Sequence, residues 1–136
     1  MAADRGHAHA ETRLRREKIA WLTTVRRDGQ PQSSPVWFLW RNGEIVVYSK
    51  PTTQKVRNVQ SNPKVAVHLR ALDEGSDIVS IEGSAEIDET YPAAATIPEY
   101  LTKYRRMIAD INMDPDSFAR SYSVPVRIRP SKIRVE

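Results

Sequence analysis

From about residue 19 onward, apolar and polar positions mostly alternate with a period of two, the spacing of half-buried strands, in short runs punctuated by turn residues. Ile19 to Arg27 reads as a first strand, and Asp28-Gly29 turns the chain tightly into a second, Gln32 to Trp40. Asn42-Gly43 makes the next tight turn, into a third strand from Glu44 to Ser49. Val65, Val67 and Leu69 share one face of a fourth strand that ends near Leu72. After the acidic turn Asp73-Glu74-Gly75, Ile78 to Ile87 forms a fifth strand, and Val124 to Val135 the last. Helical spacing interrupts this pattern. Glu11 to Lys18 predicts a short amphipathic helix around Leu14, with residues 1–10 as a flexible tail. A second helix opens around Lys55 and is stopped by Pro63 after Ser61-Asn62. In a third, within 91–113, Leu101, Tyr104, Ile108 and Ile111 fall on one face behind a Pro98 suited to the first turn. Short strands with tight turns and one substantial late helix predict a mainly β fold, a six-stranded antiparallel barrel with flanking helices.

Composition narrows the class. A length of 136 residues with 40% hydrophobic content suits one domain, placed at residues 11–136. The absence of cysteine excludes disulfides, thiolate metal sites and cysteine nucleophiles. His7 and His9 alternate in the tail but lack the further ligands that a closed metal site needs, so no metal is expected. No apolar run approaches the ~18 residues of a membrane span and no signal-peptide core is visible, so the expected location is the cytoplasm.

Charge adds a direction. Lys and Arg number 21 against 17 Asp and Glu, yet between Ala71 and Glu99 every charged residue is acidic. The cations gather near the start, between Lys50 and Arg70, and at the end. Most belong on solvated faces, but a basic excess also suits an anionic small molecule or a nucleic acid.

The segment Tyr48-Ser49-Lys50-Pro51-Thr52-Thr53-Gln54-Lys55-Val56-Arg57-Asn58-Val59 is where those cations meet local structure. A strand rich in hydroxyls and cations at its end runs straight into a helix, whose first N–H groups are unpaired and whose dipole is positive there. Gln54, Lys55 and Arg57 sit at that start, and Thr52 or Thr53 can cap it. Such a junction favours a phosphate.

Elsewhere the chemistry is sparse. Trp37 and Trp40 point to opposite faces by strand alternation, so at most one lines a site, and both also fit a core. Tyr48 reads as packing with its hydroxyl satisfied locally. His68 faces away from Val67 and Leu69 and fits an exposed position. No Ser-His-Asp, paired-carboxylate or Walker pattern can be assembled, so the catalytic residue is unassigned.

The ordered stretches "QPQSSPVWFLW", "NGEIVVYSK", "TTQKVRNVQSNPKVAVHL" and "IVSIEGSAEI" resemble the pyridoxamine-phosphate-oxidase-like split β-barrel family, in particular its small F420-dependent reductase branch, over about Leu14 to Val135. The resemblance implies a homodimer with the cofactor at the subunit interface. It places that cofactor along Ser33, Ser34, Pro35, Val36, Trp37 and Phe38, with the phosphate against Ser49, Lys50, Thr53, Gln54 and Lys55. Pro35 suits an edge strand, where a missing N–H breaks no ladder, and Lys55 supplies a charge-assisted bond. FMN-using members place an arginine in the second strand and an Arg-Lys pair at the helix start; here Ser33 or Ser34 and Gln54-Lys55 occupy those positions. A single lysine with neutral donors matches the internal phosphate diester of coenzyme F420, and Lys50, Arg57 and Lys64 are candidates for its oligoglutamate tail. The ending Pro130 to Glu136 lacks the arginine-rich pattern of vitamin-B6 oxidases. The expected function is therefore transfer of a hydride from reduced deazaflavin, F420H2, to a small electron-poor organic substrate. The alternatives are an FMN-binding oxidase or reductase on the same fold, and a nucleic-acid-binding barrel. The last is disfavoured because Trp37, Phe38 and Trp40 are not interleaved with cations.

Overall fold

Two hairpins are set by the chemistry of their turns. The computed structural model describes residues 2–136. In it Asn42 and Gly43 both take positive φ, 53° and 73°, the pair of left-handed conformations that a two-residue hairpin needs. They join β3 (Leu39–Arg41) to β4 (Glu44–Ser49). Between β1 (Ala20–Val25) and β2 (Pro31–Val36), the Gly29 N–H donates to the Arg26 carbonyl at 2.9 Å, and Gly29 takes φ 90°. With β5 (Lys64–His68), β6 (Val79–Ile87) and β7 (Val124–Val135), these strands make one antiparallel sheet in the order β2-β1-β5-β6-β7-β4-β3.

The sheet has seven strands where the sequence pattern predicts six, because the run 32–40 is broken in two. Trp37 and Phe38 step out of the ladder. The Phe38 N–H donates to the Tyr104 hydroxyl at 2.8 Å, and its carbonyl accepts from Lys103 Nζ at 2.9 Å and from the Tyr104 hydroxyl at 3.0 Å. A backbone paired with side chains of a helix cannot also pair with a strand. β2 and β3 therefore lie at opposite edges of the sheet although only two residues separate them. The sheet must curl until those edges meet, which makes a split barrel closed along one seam by the chain itself.

Helices cover the barrel. They are α1 (Ala2–Arg16), α2 (Gln54–Ser61), α3 (Pro98–Asp110) and α4 (Pro115–Ser121). α1 starts at Ala2 rather than Glu11, so residues 2–10, read as a tail, are helical. The reason is packing: Ala10 lies one turn before Leu14, and both are fully buried in the barrel core. α3 buries Tyr100, Tyr104 and Ile108, whereas Ile111 falls beyond its end and is 43% exposed. Left-handed Asn112 follows, at φ 61°. α4 is absent from the sequence expectation.

Two cores result. Leu22, Ile45, Val47, Val67, Ile81 and Ile128 fill the barrel, joined by Leu14 and Val59 from the helices. Leu39, Val46 and Tyr48 point outward and are covered by Tyr100, Tyr104, Ile108 and Phe118. β4 is thus buried on both faces, which explains its unbroken apolar run. No helix among the described residues is long and apolar enough to cross a membrane.

Candidate functional site

The strand β4 and the helix α2 converge where the sequence predicts a phosphate junction. Ser49 ends β4 almost fully buried, 1% exposed, and its hydroxyl lies 2.8 Å from that of Thr53. Thr53 occupies the N-cap of α2 but does not cap it with its side chain, because its hydroxyl is shared between Ser49 and the Lys50 carbonyl. Thr52 contributes only its carbonyl, which accepts from Arg57 at 2.7 Å. The first N–H groups of α2 are therefore left without a side-chain partner.

Lys55 lies on the first turn of α2, half-buried, and forms no ion pair with an acid among the described residues. Burial pushes its ammonium below the ordinary lysine range. A desolvated cation without a counter-charge is costly, and an anion bound beside it removes that cost.

Three cavities run in series past this residue. The first, of about 430 Å³, is lined by Pro35, Val36 and Trp37 from the barrel edge, by Ser49, Lys50, Thr53 and Lys55 from the junction, and by Ile111, Phe118 and Tyr122. Its size falls in the range of small-molecule sites, about 300–1,000 Å³. The second, of about 190 Å³, shares Lys55 and adds Ser33, Ser34, Gln32, Thr24, Gln54 and Asn58. The third, of about 600 Å³, shares Gln54 and Asn58 and carries Arg26, Arg27 and Arg57. Arg26 is paired with Asp28 at 2.5 Å. β2, which contributes to the first two cavities, pairs with β1 alone and is a sheet edge.

Asn58 ties this track together. Fully buried, it donates through Nδ2 to the Thr24 hydroxyl at 2.9 Å and to Gln32 Oε1 at 3.0 Å, and its Oδ1 accepts from Gln54 Nε2 at 2.7 Å. Gln54 Oε1 in turn accepts from Arg57 at 2.7 Å. Helix, first strand and edge strand are locked by one buried amide.

The opposite wall is aromatic. Trp37 stacks on Tyr104, at 5.0 Å and 3° between planes, and on Phe118, at 5.4 Å and 13°. Phe118 stacks in turn on Tyr122 at 4.5 Å. Trp37 is thus engaged by two rings of its own chain and is still partly exposed at the first cavity. Lys50 Nζ lies 5.4 Å from the Tyr122 ring, in the first cavity, while Arg57 lines the third, so these two cations are not brought together. Lys64 lines neither. Trp40 packs on the barrel core and Trp37 on the outer cluster. His68 is exposed on β5. The Tyr48 hydroxyl is satisfied not locally but by the distant Pro92 carbonyl at 2.6 Å, and burial raises its pKa.

Phe118, Tyr122, Ile111, Arg26, Arg27 and Asn58 are absent from the sequence candidates. Phe118 and Tyr122, four apart behind the Asp114-Pro115 helix start, are the pair that sequence could have flagged.

A model of the family described as pyridoxamine 5'-phosphate oxidase matches residues 7–135. No match was found among curated proteins. Similar solved structures include a conserved hypothetical protein from Mycobacterium tuberculosis, 26% identical, covering 94% of this chain and 82% of that one, with a TM-score of 0.77. An F420 reductase is 25% identical, covering 91% and 94%, with a TM-score of 0.67. A putative pyridoxamine 5'-phosphate oxidase from Listeria innocua is 22% identical, covering 99% and 98%, with a TM-score of 0.65.

Proposed function

Starting from a chain that belongs to the pyridoxamine 5'-phosphate oxidase family, we propose that it is a coenzyme F420H2-dependent reductase acting as a homodimer on a small electron-poor organic substrate. The observation that carries this reading is the count of charge in the second cavity. Lys55 is the cation there, among the neutral Ser33, Ser34, Gln32, Thr24, Gln54 and Asn58. One ammonium with hydroxyl and amide donors balances a phosphate diester of one charge. The neighbouring groove, with Arg27 and Arg57 free of acids among the described residues, suits carboxylates spread along a tail.

Bound F420H2 would supply a hydride, and the organic chemistry is the cofactor's. The protein's part is to bind, orient and keep out water. Lys55 holds the phosphate, the edge of β2 presents backbone groups to a ring's polar rim, and Phe118 and Tyr122 wall the cavity. Tyr48, committed to Pro92, offers no proton there.

The proposed dimer is supported by apolar side chains left bare near the cavity. Trp21 is 40% exposed and faces Pro35 directly across the β1–β2 ladder, and Ile111 at the cavity is 43% exposed. A second subunit laid on this rim would complete the ring's enclosure.

FMN is the second reading, favoured by the further cations Arg26, Arg27 and Arg57 in the cavity next to that of Lys55. Fluorescence titrations with both cofactors decide between them. Tighter F420 binding supports the proposal, and FMN binding of equal or greater strength overturns it. Ser34→Arg adds a cation to the second cavity. It should raise FMN affinity about tenfold, the yield of one charge-assisted contact, while F420 affinity changes less.

A further inference from the structure

A groove of about 670 Å³ opens between the end of α1, the short strand β3 and the start of α3. It shares no residue with the three cavities along α2. Its apolar surface comes from Leu39, Trp40 and Pro98, and its cations are Arg15, Arg16, Lys18 and Lys103. The acid in the groove, Glu99, is engaged by Arg41 at 3.6 Å, and Arg15 is answered by Glu11 at 3.2 Å. Arg16, Lys18 and Lys103 form no ion pair with an acid among the described residues.

Lys103 lines the groove with its stem, while its charge is directed away from it. Its Nζ turns inward, donating to the carbonyls of Phe38 at 2.9 Å and Leu14 at 3.3 Å, and lies 3.8 Å from the Phe38 ring centroid. Burial and then the charge of Lys18 bring it down to about 7, against a small opposing effect of Glu17. Lys18 itself donates to the Lys103 carbonyl at 2.6 Å, which fixes its position at the groove. Arg16 and Lys18, exposed at the rim of this apolar surface while Glu99 is already engaged by Arg41, create a positive potential over it. An anion on a flat apolar body satisfies both.

We propose that this groove is a second binding site, for a small aromatic carboxylate whose ring lies against Trp40 and Pro98 and whose carboxylate is met by Arg16 and Lys18. The site does not depend on which cofactor Lys55 holds. Naphthoate, an aromatic carboxylate, and naphthamide, its neutral counterpart, are the probes. They are titrated into the full chain while the indole N–H signals of its tryptophans are followed by NMR, with the Trp40 signal assigned from Trp40→Phe. The expected result is a saturable shift of the Trp40 signal by naphthoate, weakened about tenfold in Arg16→Glu, as loss of one charge-assisted contact predicts. The melting temperature of Arg16→Glu should match wild type, since Arg16 is exposed; Lys18→Gln read the same way replaces it if it does not fold. Equal binding of naphthamide, unchanged affinity in both variants, saturation at Trp21 or Trp37 with Trp40 unmoved, or no binding at all would each overturn the proposal.

Discussion

Lys55 is half-buried with no carboxylate beside it, while Asn58, on the same short helix, is fully buried with both ends of its amide engaged. The contrast separates a residue with no partner for its charge among the described residues from one that holds the frame. Lys55→Ala should lower cofactor affinity about tenfold to a hundredfold, the worth of a charge-assisted bond, and leave the melting temperature equal or higher because a desolvated charge is gone. Titration and thermal melts check both halves; unchanged affinity in the folded variant would move the phosphate elsewhere. Lys103 gives a pH signature. Its ordinary value of 10.5 falls to about 7 in the fold, so between those values the unfolded chain binds more protons and stability rises with pH. Below about pH 7 both states are protonated and the gain is lost. Melting temperatures from about pH 6.5 to about pH 9 should therefore climb more steeply in wild type than in Lys103→Met, and parallel slopes would refute the burial argument. The meeting of β4 and α2 around Ser49, Thr53 and Lys55 was legible in the sequence because hydroxyls and cations stand close together along the chain there. Asn58 and the aromatic wall were not, because Thr24 and Tyr104 reach them from distant parts of the chain.

β6 pairs with β7 over its whole length, with a bulge at Glu82/Gly83. There the Arg129 backbone comes so close that a Cβ on Gly83 would collide with its carbonyl. Gly83→Ala should cost about 1–3 kcal/mol by overpacking against main chain that cannot yield, measured by urea unfolding; a neutral result would mean the bulge relaxes freely. Among the elements, turns were the most legible, since Asn42-Gly43 needs nothing outside itself. α4 carried its own signals, Asp114 at the N-cap with Pro115 next and Ser117 completing a capping box, but its brevity hid it behind the stronger pattern of α3. The break of the second strand was illegible for another reason. Alternation continues through Trp37 and Phe38, and the group that pulls them out of the ladder is Tyr104, 66 residues away.

At the scale of the molecule, the barrel class could be read from short strands and tight turns, but the order of strands could not, since β1 with β5 and β4 with β7 are non-local partners. Assembly is the corresponding prediction. Trp21→Glu, placing a charge on the exposed rim beside Pro35, should shift sedimentation from dimer to monomer and weaken cofactor binding in step. A wild-type monomer that binds F420 tightly would contradict the interface site. The seam of the barrel sets one more limit. From Val36 to Leu39 the chain crosses between the sheet edges in three peptide steps, a span of at most about 11 Å, with Phe38 clamped by Tyr104 and Lys103. That short tether acts as a fixed ruler on the aperture beside Trp37. Opening at that seam is limited to the reach of the tether, whereas the far wall of the same cavity includes Phe118 of α4, an element that no strand pairing holds in place.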